Sequence, residues 1–218
     1  MAGENRSKGR DLKAVIFDYG EVLCHRPDGE ELRQMRTLFG VDPELFRTLW
    51  ERNRPAFDRG DLTAQVYWSM LAEDAGVKID PKQLEYLRKW DLEMWAKVNS
   101  VMVDWAQRLR KAGFKIGLLS NMHPDMVEHC RSKFEWLNDF HFQTFSADVR
   151  MVKPDPEIYR HTLEGLGVSA TQALFIDDRE PNIIAARKLG MNAIQFLSVP
   201  QLEDELKRMN FPILPSVN

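Results

Sequence analysis

Short, continuous apolar runs alternate with helical patterns along most of the chain. Four runs have the length and composition of strands buried on both faces, and they are residues 14–17, 116–119, 173–176 and 193–197. Three helical patterns are each stopped by a glycine suited to a helix C-terminus, and they are residues 101–111, 158–166 and 183–189. This alternation predicts an α/β fold with a doubly wound, mostly parallel, Rossmann-like sheet.

The segment 25–98 breaks the alternation, because its patterns are only helical. Three polar residues of the kind that begin helices precede apolar positions at helical spacing: Asp42, Thr63 and Asp80. We predict a helical cap domain at 25–98, inserted into an α/β core domain formed by 11–24 and 99–218. Such an insertion lies over the carboxyl edge of the sheet, where α/β proteins bind ligands. A longer helical layer without a role in function is the alternative.

Composition and charge narrow the class of protein. Residues 1–10 are polar and contain no apolar run that would act as a signal peptide, so we interpret them as a flexible tail. No stretch reaches the roughly 20 apolar residues of a membrane helix. Thirty basic and 33 acidic residues give a net charge of -3, which favours neither nucleic acid nor a membrane as partner.

Cys24 and Cys130 are too few for a disulfide framework and lack the spacing of a zinc site. We therefore expect a cytoplasmic protein with buried, reduced thiols. The sequence does not indicate an oligomeric state.

Polar residues that can carry chemistry follow the predicted strands. Asp18 ends the first strand, where a carboxylate can attack a substrate, bind a cation or form a turn. Ser120 and Asn121 end the second strand, where they can hold an anion or begin a loop. Lys153 lies in a turn that prolines stiffen just outside the sheet edge, although a lone lysine is usually solvated.

Asp177 and Asp178 are adjacent acids that follow the third predicted strand. Their carboxylates repel each other unless a cation lies between them or one of them caps the next helix. Magnesium prefers oxygen ligands of this kind, so these two acids and Asp18 predict a Mg²⁺ site. Lys153 and Ser120 would hold the anion that the metal also binds. A nucleophile, a cation and donors for the equatorial oxygens are what phosphoryl transfer requires.

These motifs resemble those of the haloacid dehalogenase-like (HAD) superfamily, in the branch with a helical cap inserted after the first strand. The resemblance runs from about residue 13 to residue 206 and includes the cap stretch 57–63. Within the superfamily, the sequence resembles bacterial members of the glucose-1-phosphatase type. It implies a magnesium-dependent hydrolase that removes phosphate from a small phosphorylated metabolite. The intermediate it implies is an aspartyl-phosphate on Asp18.

The resemblance also implies roles within the site. Ser120 and Lys153 would hold the phosphoryl oxygens and neutralise charge, and Asn121 belongs to the same phosphate-binding group. The ligands that it implies for Mg²⁺ are Asp18, the backbone carbonyl of Gly20, Asp177, and Asp178 acting directly or through water.

One position departs from the superfamily pattern. Most of its phosphatases carry a second Asp two residues after the nucleophile as general acid and base, and here that residue is Gly20. The glycine keeps a carbonyl for the metal but removes a proton donor that is typically worth ~10²–10⁴ in rate. Glu21 and His25 are the nearest candidates to replace it. Their positions in the sequence do not indicate that either side chain points to the leaving group.

Two other functions remain open. One is a haloacid dehalogenase-type hydrolase, which would use the same nucleophilic Asp on a carbon–halogen bond. The adjacent acids Asp177 and Asp178 argue against it, because without a cation they would destabilise a site that binds carboxylates. The other is a catalytically weak or silent regulatory protein, which the glycine at position 20 makes conceivable.

Other patterns add no function. Residues 165–170 match a dinucleotide-binding fingerprint by letters but follow a helix, so we interpret them as a helix end and turn. Three cap arginines are candidates for substrate contact, although such arginines are usually solvated: Arg52, Arg54 and Arg59. Five tryptophans are interpreted as helix packing, because no basic stripe accompanies them: Trp50, Trp68, Trp90, Trp95 and Trp105.

Overall fold

The computed structural model describes residues 12–216, and the predicted tail at 1–10 lies outside them. Five strands form one sheet in the order β3-β2-β1-β4-β5, and every pair of neighbours is parallel. The strands are β1 (Ala14–Phe17), β2 (Lys115–Ser120), β3 (Phe142–Phe145), β4 (Ala173–Asp177) and β5 (Asn192–Gln195). Because the chain winds outward from β1 in both directions, the predicted doubly wound α/β fold is confirmed.

Both faces of the sheet are buried, which explains the continuous apolar runs. In β1, Val15 and Phe17 pack into one apolar core, whereas Ala14 and Ile16 pack into the core on the opposite face. Successive side chains of a strand point to opposite faces. A strand covered on both sides therefore needs an apolar residue at every position.

Helices fill the chain between β1 and the first helix of the core. They are α1 (Glu30–Phe39), α2 (Pro43–Arg52), α3 (Arg54–Asp58), α4 (Ala64–Asp74) and α5 (Pro81–Glu93). The three predicted helix starts are confirmed, because the side chains of Asp42, Thr63 and Asp80 accept hydrogen bonds from backbone N–H groups of the first helical turn. The inserted helices enclose an apolar core of their own around Phe39, Trp68 and Leu87.

The remaining helices cover the two faces of the sheet. They are α6 (Ser100–Lys111), α7 (Pro124–Lys133), α8 (Ser146–Val149), α9 (Pro156–Leu166), α10 (Glu180–Lys188) and α11 (Val199–Arg208). None of the helices in residues 12–216 has the length and apolar character of a membrane span. Cys24 and Cys130 are free and buried, as predicted.

The two chain segments that join the inserted helices to the sheet lie side by side. Cys24 and Val98 form an antiparallel bridge. The His25 N–H donates to the Lys97 carbonyl at 2.7 Å, and the Asn99 N–H donates to the Leu23 carbonyl at 2.9 Å. This paired linker ties both ends of the insertion to the carboxyl end of β1.

The glycines in residues 165–170 have a packing explanation. A Cβ atom on Gly165 would lie 2.3 Å from the Phe142 ring, so only glycine lets α9 approach β3 this closely. Gly167 ends α9 in the left-handed region, at φ 61°. The interpretation of this segment as a helix end is therefore confirmed.

Candidate active site

The predicted site residues converge at the carboxyl edge of the sheet. β1 lies between β2 and β4, and Phe17 is in register with Leu118 on one side and with Ile176 on the other. Asp18, one residue further along, therefore reaches the edge beside the ends of both neighbouring strands. Its backbone N–H donates to the Ile176 carbonyl at 2.9 Å, which holds it against β4.

Lys153 lies in the turn before α9, and its side chain is only 1% exposed. The ammonium is 2.9 Å from Oδ1 of Asp18 and 2.6 Å from Oδ2 of Asp177. It also donates to the Leu119 carbonyl at 3.0 Å. All three N–H donors of the ammonium thus have partners, and the charge is held at the floor of the site rather than in solvent.

Asn121 holds the backbone of this lysine. Its Nδ2 donates to the Lys153 carbonyl at 2.9 Å, and its Oδ1 accepts from the Lys153 N–H at 2.8 Å. The amide therefore uses one donor and one acceptor to position Lys153. Ser120 is buried at the end of β2 and lines a cavity at this edge of the sheet.

The two adjacent acids have different environments. Asp177 is fully buried, and its carboxylate accepts from the Lys153 ammonium, from the Arg179 N–H at 2.8 Å and from Nδ2 of Asn182 at 2.9 Å. Asp178 is half-buried and lines the cavity. Asp177 is thus tied to the floor of the site by three partners, whereas Asp178 lines the cavity and is partly accessible.

The charges at this edge are unbalanced. Burial raises the pKa of Asp18 to about 6. The Lys153 ammonium lowers this pKa, but the nearby Asp177 carboxylate partly cancels that effect. Burial, then Asp18 and Asp177, raise the pKa of Asp178 to about 7. Burial alone would lower the pKa of Lys153, but the Asp177 and Asp18 carboxylates outweigh it and raise that pKa. The carboxylates outnumber the ammonium, so an added cation would stabilise their charged forms.

The residues present fit a magnesium ion. Asp18, Asp177 and Asp178 each offer a carboxylate oxygen, and these oxygens lie within 4.8 Å of one another. Magnesium binds such hard oxygen ligands. The carbonyl-bearing Gly20 lines the same cavity.

Position 20 has an ordinary backbone conformation, with φ -61° and ψ 130°. The next residue, Glu21, has φ 55° and lines the cavity. Its carboxylate lies 3.3 Å from the Arg26 guanidinium. His25 is exposed, and the cavity lining does not include it.

A cavity of about 480 Å³ lies between the sheet edge and the inserted helices. A volume of this size suits a small ligand. Residues of the inserted helices and of the segment after α5 contribute to its wall: Trp50, Glu51, Arg54, Pro55, Asp58 and Trp95. Met122 and Met126 add apolar surface from the core side.

The cap arginines are paired within the cap. Arg54 lines the cavity, but its guanidinium binds Asp58 at 2.9 Å and Asp91 at 3.0 Å. Its charge is therefore already compensated. Arg52 and Arg59 form ion pairs with other cap carboxylates and are absent from the cavity lining.

The structure thus brings together every predicted site residue: Asp18, Gly20, Ser120, Asn121, Lys153, Asp177 and Asp178. Sequence analysis missed Asn182, whose amide holds Asp177 from the first turn of α10. It also assigned Trp50 and Trp95 to packing alone, whereas both line the cavity. A polar residue in the first turn after an acidic pair was the available signal for Asn182.

Comparison with known proteins identifies the family. A family model described as haloacid dehalogenase-like hydrolase matches residues 12–190. The chain belongs to this family of hydrolases, as the sequence motifs predicted.

Relatives and a solved structure agree with this assignment. A Mycobacterium tuberculosis protein named as a phosphatase is 34% identical over 190 residues, which cover 84% of this chain and 86% of the relative. A sesquiterpene phosphatase of Aspergillus oryzae is 26% identical over 184 residues, covering 83% of this chain and 87% of the relative. A HAD family enzyme of Bacteroides thetaiotaomicron, solved with magnesium and inorganic phosphate, has a TM-score of 0.69 at 21% identity, covering 84% and 93% of the two chains. That structural likeness shows the fold.

Proposed function

We propose that the protein is a magnesium-dependent phosphatase of a small phosphorylated metabolite, with sugar phosphates among the candidate substrates. The observation that carries the proposal is the Asp18 carboxylate in the cavity, 2.9 Å from a buried ammonium and clustered with two more carboxylates. The phosphatase relatives and the magnesium and phosphate in a structural neighbour support it.

The chain's own residues account for the two chemical steps. Oδ1 of Asp18 accepts from the Tyr19 N–H at 2.7 Å and faces Lys153, which orients the carboxylate. In the first step an Asp18 oxygen bonds to phosphorus while the bond to the leaving oxygen breaks, giving an aspartyl-phosphate. In the second step water attacks phosphorus and the carboxylate is released. Lys153 and Ser120 stabilise charge on the phosphoryl oxygens.

Four groups would hold the metal: the side chains of Asp18, Asp177 and Asp178, and the Gly20 carbonyl. When bound, magnesium would neutralise charge on the phosphoryl group and on the clustered carboxylates. Asp178 is the acid of the adjacent pair that lines the cavity, so we assign it the more direct role. Asp177 would act mainly by positioning Lys153.

We also propose that residues 25–98 form the cap domain of this enzyme, over a core formed by 11–24 and 99–218. The paired linker at Cys24 and Val98 supports both boundaries. The position of Trp50 and Arg54 in the cavity wall supports a role for the cap in substrate contact.

The clustered carboxylates favour the phosphatase over the dehalogenase. A haloacid substrate carries its own carboxylate, which Asp177 and Asp178 would repel. A phosphate ester carries more negative charge, but a magnesium ion held by these acids would offset the repulsion and attract the phosphoryl oxygens.

The test is a screen of phosphorylated metabolites with purified protein, with and without magnesium. We expect phosphate release that depends on the metal. Halide release from a haloacid without metal would contradict the phosphatase function and support the dehalogenase function. Absence of both products across the screen would identify a silent member of the family.

A further inference from the structure

Trp95 lies beside the position from which the proton donor is missing. A Cβ atom placed on Gly20 would be 3.7 Å from Cζ3 of the Trp95 ring, which is ordinary van der Waals contact. The backbone angles of Gly20 are open to any residue. A side chain at position 20 would therefore meet the indole ring rather than backbone strain.

The indole is partly accessible from the cavity. Trp95 is half-buried, lines the cavity together with Asp18 and Gly20, and packs against both the sheet core and the cap core. Its ring thus forms a wall next to the groups that we assign to the reaction. A substrate bound with its phosphorus at Asp18 would place its organic group along this wall.

Hydrogen bonds hold the segment that carries Trp95. The Tyr19 hydroxyl donates to the Trp95 carbonyl at 2.8 Å, and Tyr19 is the buried neighbour of Asp18. Two residues further along, the chain enters the paired linker at Lys97. The backbone that carries Trp95 is therefore held in place, and its side chain packs against both apolar cores. Such prior order lowers the entropic cost of using the ring as a contact surface.

Trp50, the second tryptophan of the cavity wall, is less available for contact with a ligand. The guanidinium carbon of Arg54 lies 4.7 Å from the centre of the Trp50 ring, so one face of that ring is already covered. Asp58 and Asp91 hold the guanidinium in this place. Of the two tryptophans in the cavity wall, Trp95 is thus the one that lies beside Gly20 and is not paired with Arg54.

We propose that Trp95 is a specificity-determining residue that contacts the organic group next to the ester oxygen of the substrate. The proposal rests on the phosphatase function proposed above, because that function places phosphorus at Asp18. An indole face packs well on another flat apolar surface. The substrate class is therefore a phosphate carried directly on a ring, in preference to a phosphate at the end of an open polar chain.

Binding of three phosphonates in the presence of magnesium tests this without turnover. Phenylphosphonate offers an aromatic ring, cyclohexylphosphonate a saturated ring, and methylphosphonate no ring. By titration calorimetry, the wild-type protein is expected to bind the two ring compounds about tenfold more tightly than methylphosphonate. A preference for phenyl alone would narrow the class to aryl phosphates.

Three variants separate a ring contact from a structural role. Trp95→Leu keeps apolar bulk without a flat face and should reduce the preference to about twofold or less, whereas Trp95→Phe should keep most of it. Trp90→Leu is the matched control, because Trp90 is a half-buried cap residue outside the cavity wall. It should keep the full preference. Affinity for methylphosphonate should be the same in all three.

Three results would overturn the proposal. Two of them concern the ring preference: its absence in the wild-type protein, or its survival in Trp95→Leu. An equal loss of affinity for all three phosphonates in Trp95→Leu would also overturn it, by assigning Trp95 a structural role. A ring preference that depends on Trp95, in a protein that hydrolyses no phosphate ester, would instead contradict the proposed function and leave the contact in place.

Discussion

Individual side chains at the sheet edge have different roles: some carry charge, some orient a neighbouring group, and some leave space. Asp18 is oriented by the Tyr19 N–H and the Lys153 ammonium, and Lys153 is itself positioned by Asn121. Gly20 lines the cavity beside Trp95, and a Cβ atom at this position would lie in ordinary van der Waals contact with the indole ring. Each residue can therefore be changed with a distinct expected effect.

Replacing Asp18 by Asn tests the nucleophile. The amide has nearly the same shape and can still accept from the Tyr19 N–H, but it cannot attack phosphorus. We expect phosphate release to fall by at least about 10³-fold, with an unchanged far-ultraviolet circular dichroism spectrum. A variant that keeps more than a few per cent of the wild-type rate, free of contaminating phosphatase, would remove Asp18 from this role.

Gly20 predicts a dependence of rate on the leaving group. Without a positioned acid, the departing oxygen leaves largely unprotonated, so acyl, aryl and anomeric sugar phosphates should react faster than phosphates of primary alcohols. Gly20→Asp should narrow this difference, since the backbone angles accept a side chain and the Trp95 contact leaves room for a Cβ atom. The measurement is the rate of the phosphorylation half-reaction against leaving-group pKa.

If the wild-type rate does not change with the leaving group while chemistry limits it, another residue supplies the proton. Glu21 lines the cavity and would be the first to replace. His25, which is exposed, would follow.

At the level of helices, a buried ion pair joins α3 to α5. Arg54 of α3 contacts Asp91 of α5 at 3.0 Å, and the Asp91 side chain is 1% exposed. Nε2 of His123, at the start of α7, lies 3.3 Å from the same carboxylate. Asp91 therefore links two cap helices to each other and to the core.

Asp91→Asn is expected to destabilise the fold by about 2–4 kcal/mol at neutral pH, because it leaves a buried guanidinium with less compensation. Burial favours the protonated acid, but Arg54 and then His123 outweigh it and lower the pKa of Asp91 from 3.8 to about 2. A lowered pKa stabilises the folded state above the unfolded value, and this stabilisation is lost as pH falls through the folded value. The difference from wild type should thus be constant above about pH 5 and shrink below about pH 4.

Urea unfolding at several pH values measures this difference. Asp74→Asn is the matched control, since Asp74 pairs with Arg52 at the surface and such pairs contribute about 0–1 kcal/mol. A loss for Asp91→Asn no larger than that of the control would show that the buried pair does not stabilise the cap.

For the whole molecule, binding of a metal at this site would be coupled to folding. The three carboxylates that could hold a metal come from the ends of β1 and β4, so they meet only in the folded chain. A ligand that binds the folded state alone raises its stability, by about 2.7 kcal/mol at a concentration of 100 times Kd.

Magnesium should therefore raise the melting temperature of the wild-type protein, and EDTA should reverse this and stop phosphate release. Asp178→Asn should lose most of the magnesium-induced rise, whereas Asp74→Asn should keep it. Melting curves by differential scanning fluorimetry measure both variants. Full activity after exhaustive chelation, or an undiminished magnesium effect in Asp178→Asn, would contradict the metal site.

Local patterns were sufficient for most of the core. β1 is apolar at every position, and β4 is apolar at every position before Asp177, because both faces of the sheet are buried. This pattern needs no knowledge of the partner strands. β3 was missed because it is a short edge strand whose half-polar sequence is covered less completely. α1 was missed because it begins after Gly29, which is in the left-handed region and provides no side-chain cap.

The convergence of the site residues also followed from sequence, because the carboxyl ends of neighbouring parallel strands meet at one edge. The pairing of Arg54 with Asp91, the separate environments of Asp177 and Asp178, and the approach of Trp95 to Gly20 did not. Each of these depends on side-chain orientation or on contacts between residues far apart in the chain, as between Tyr19 and Trp95, 76 positions apart. Such contacts leave no periodic trace in the sequence, because they form only when the tertiary structure brings distant segments of the chain together.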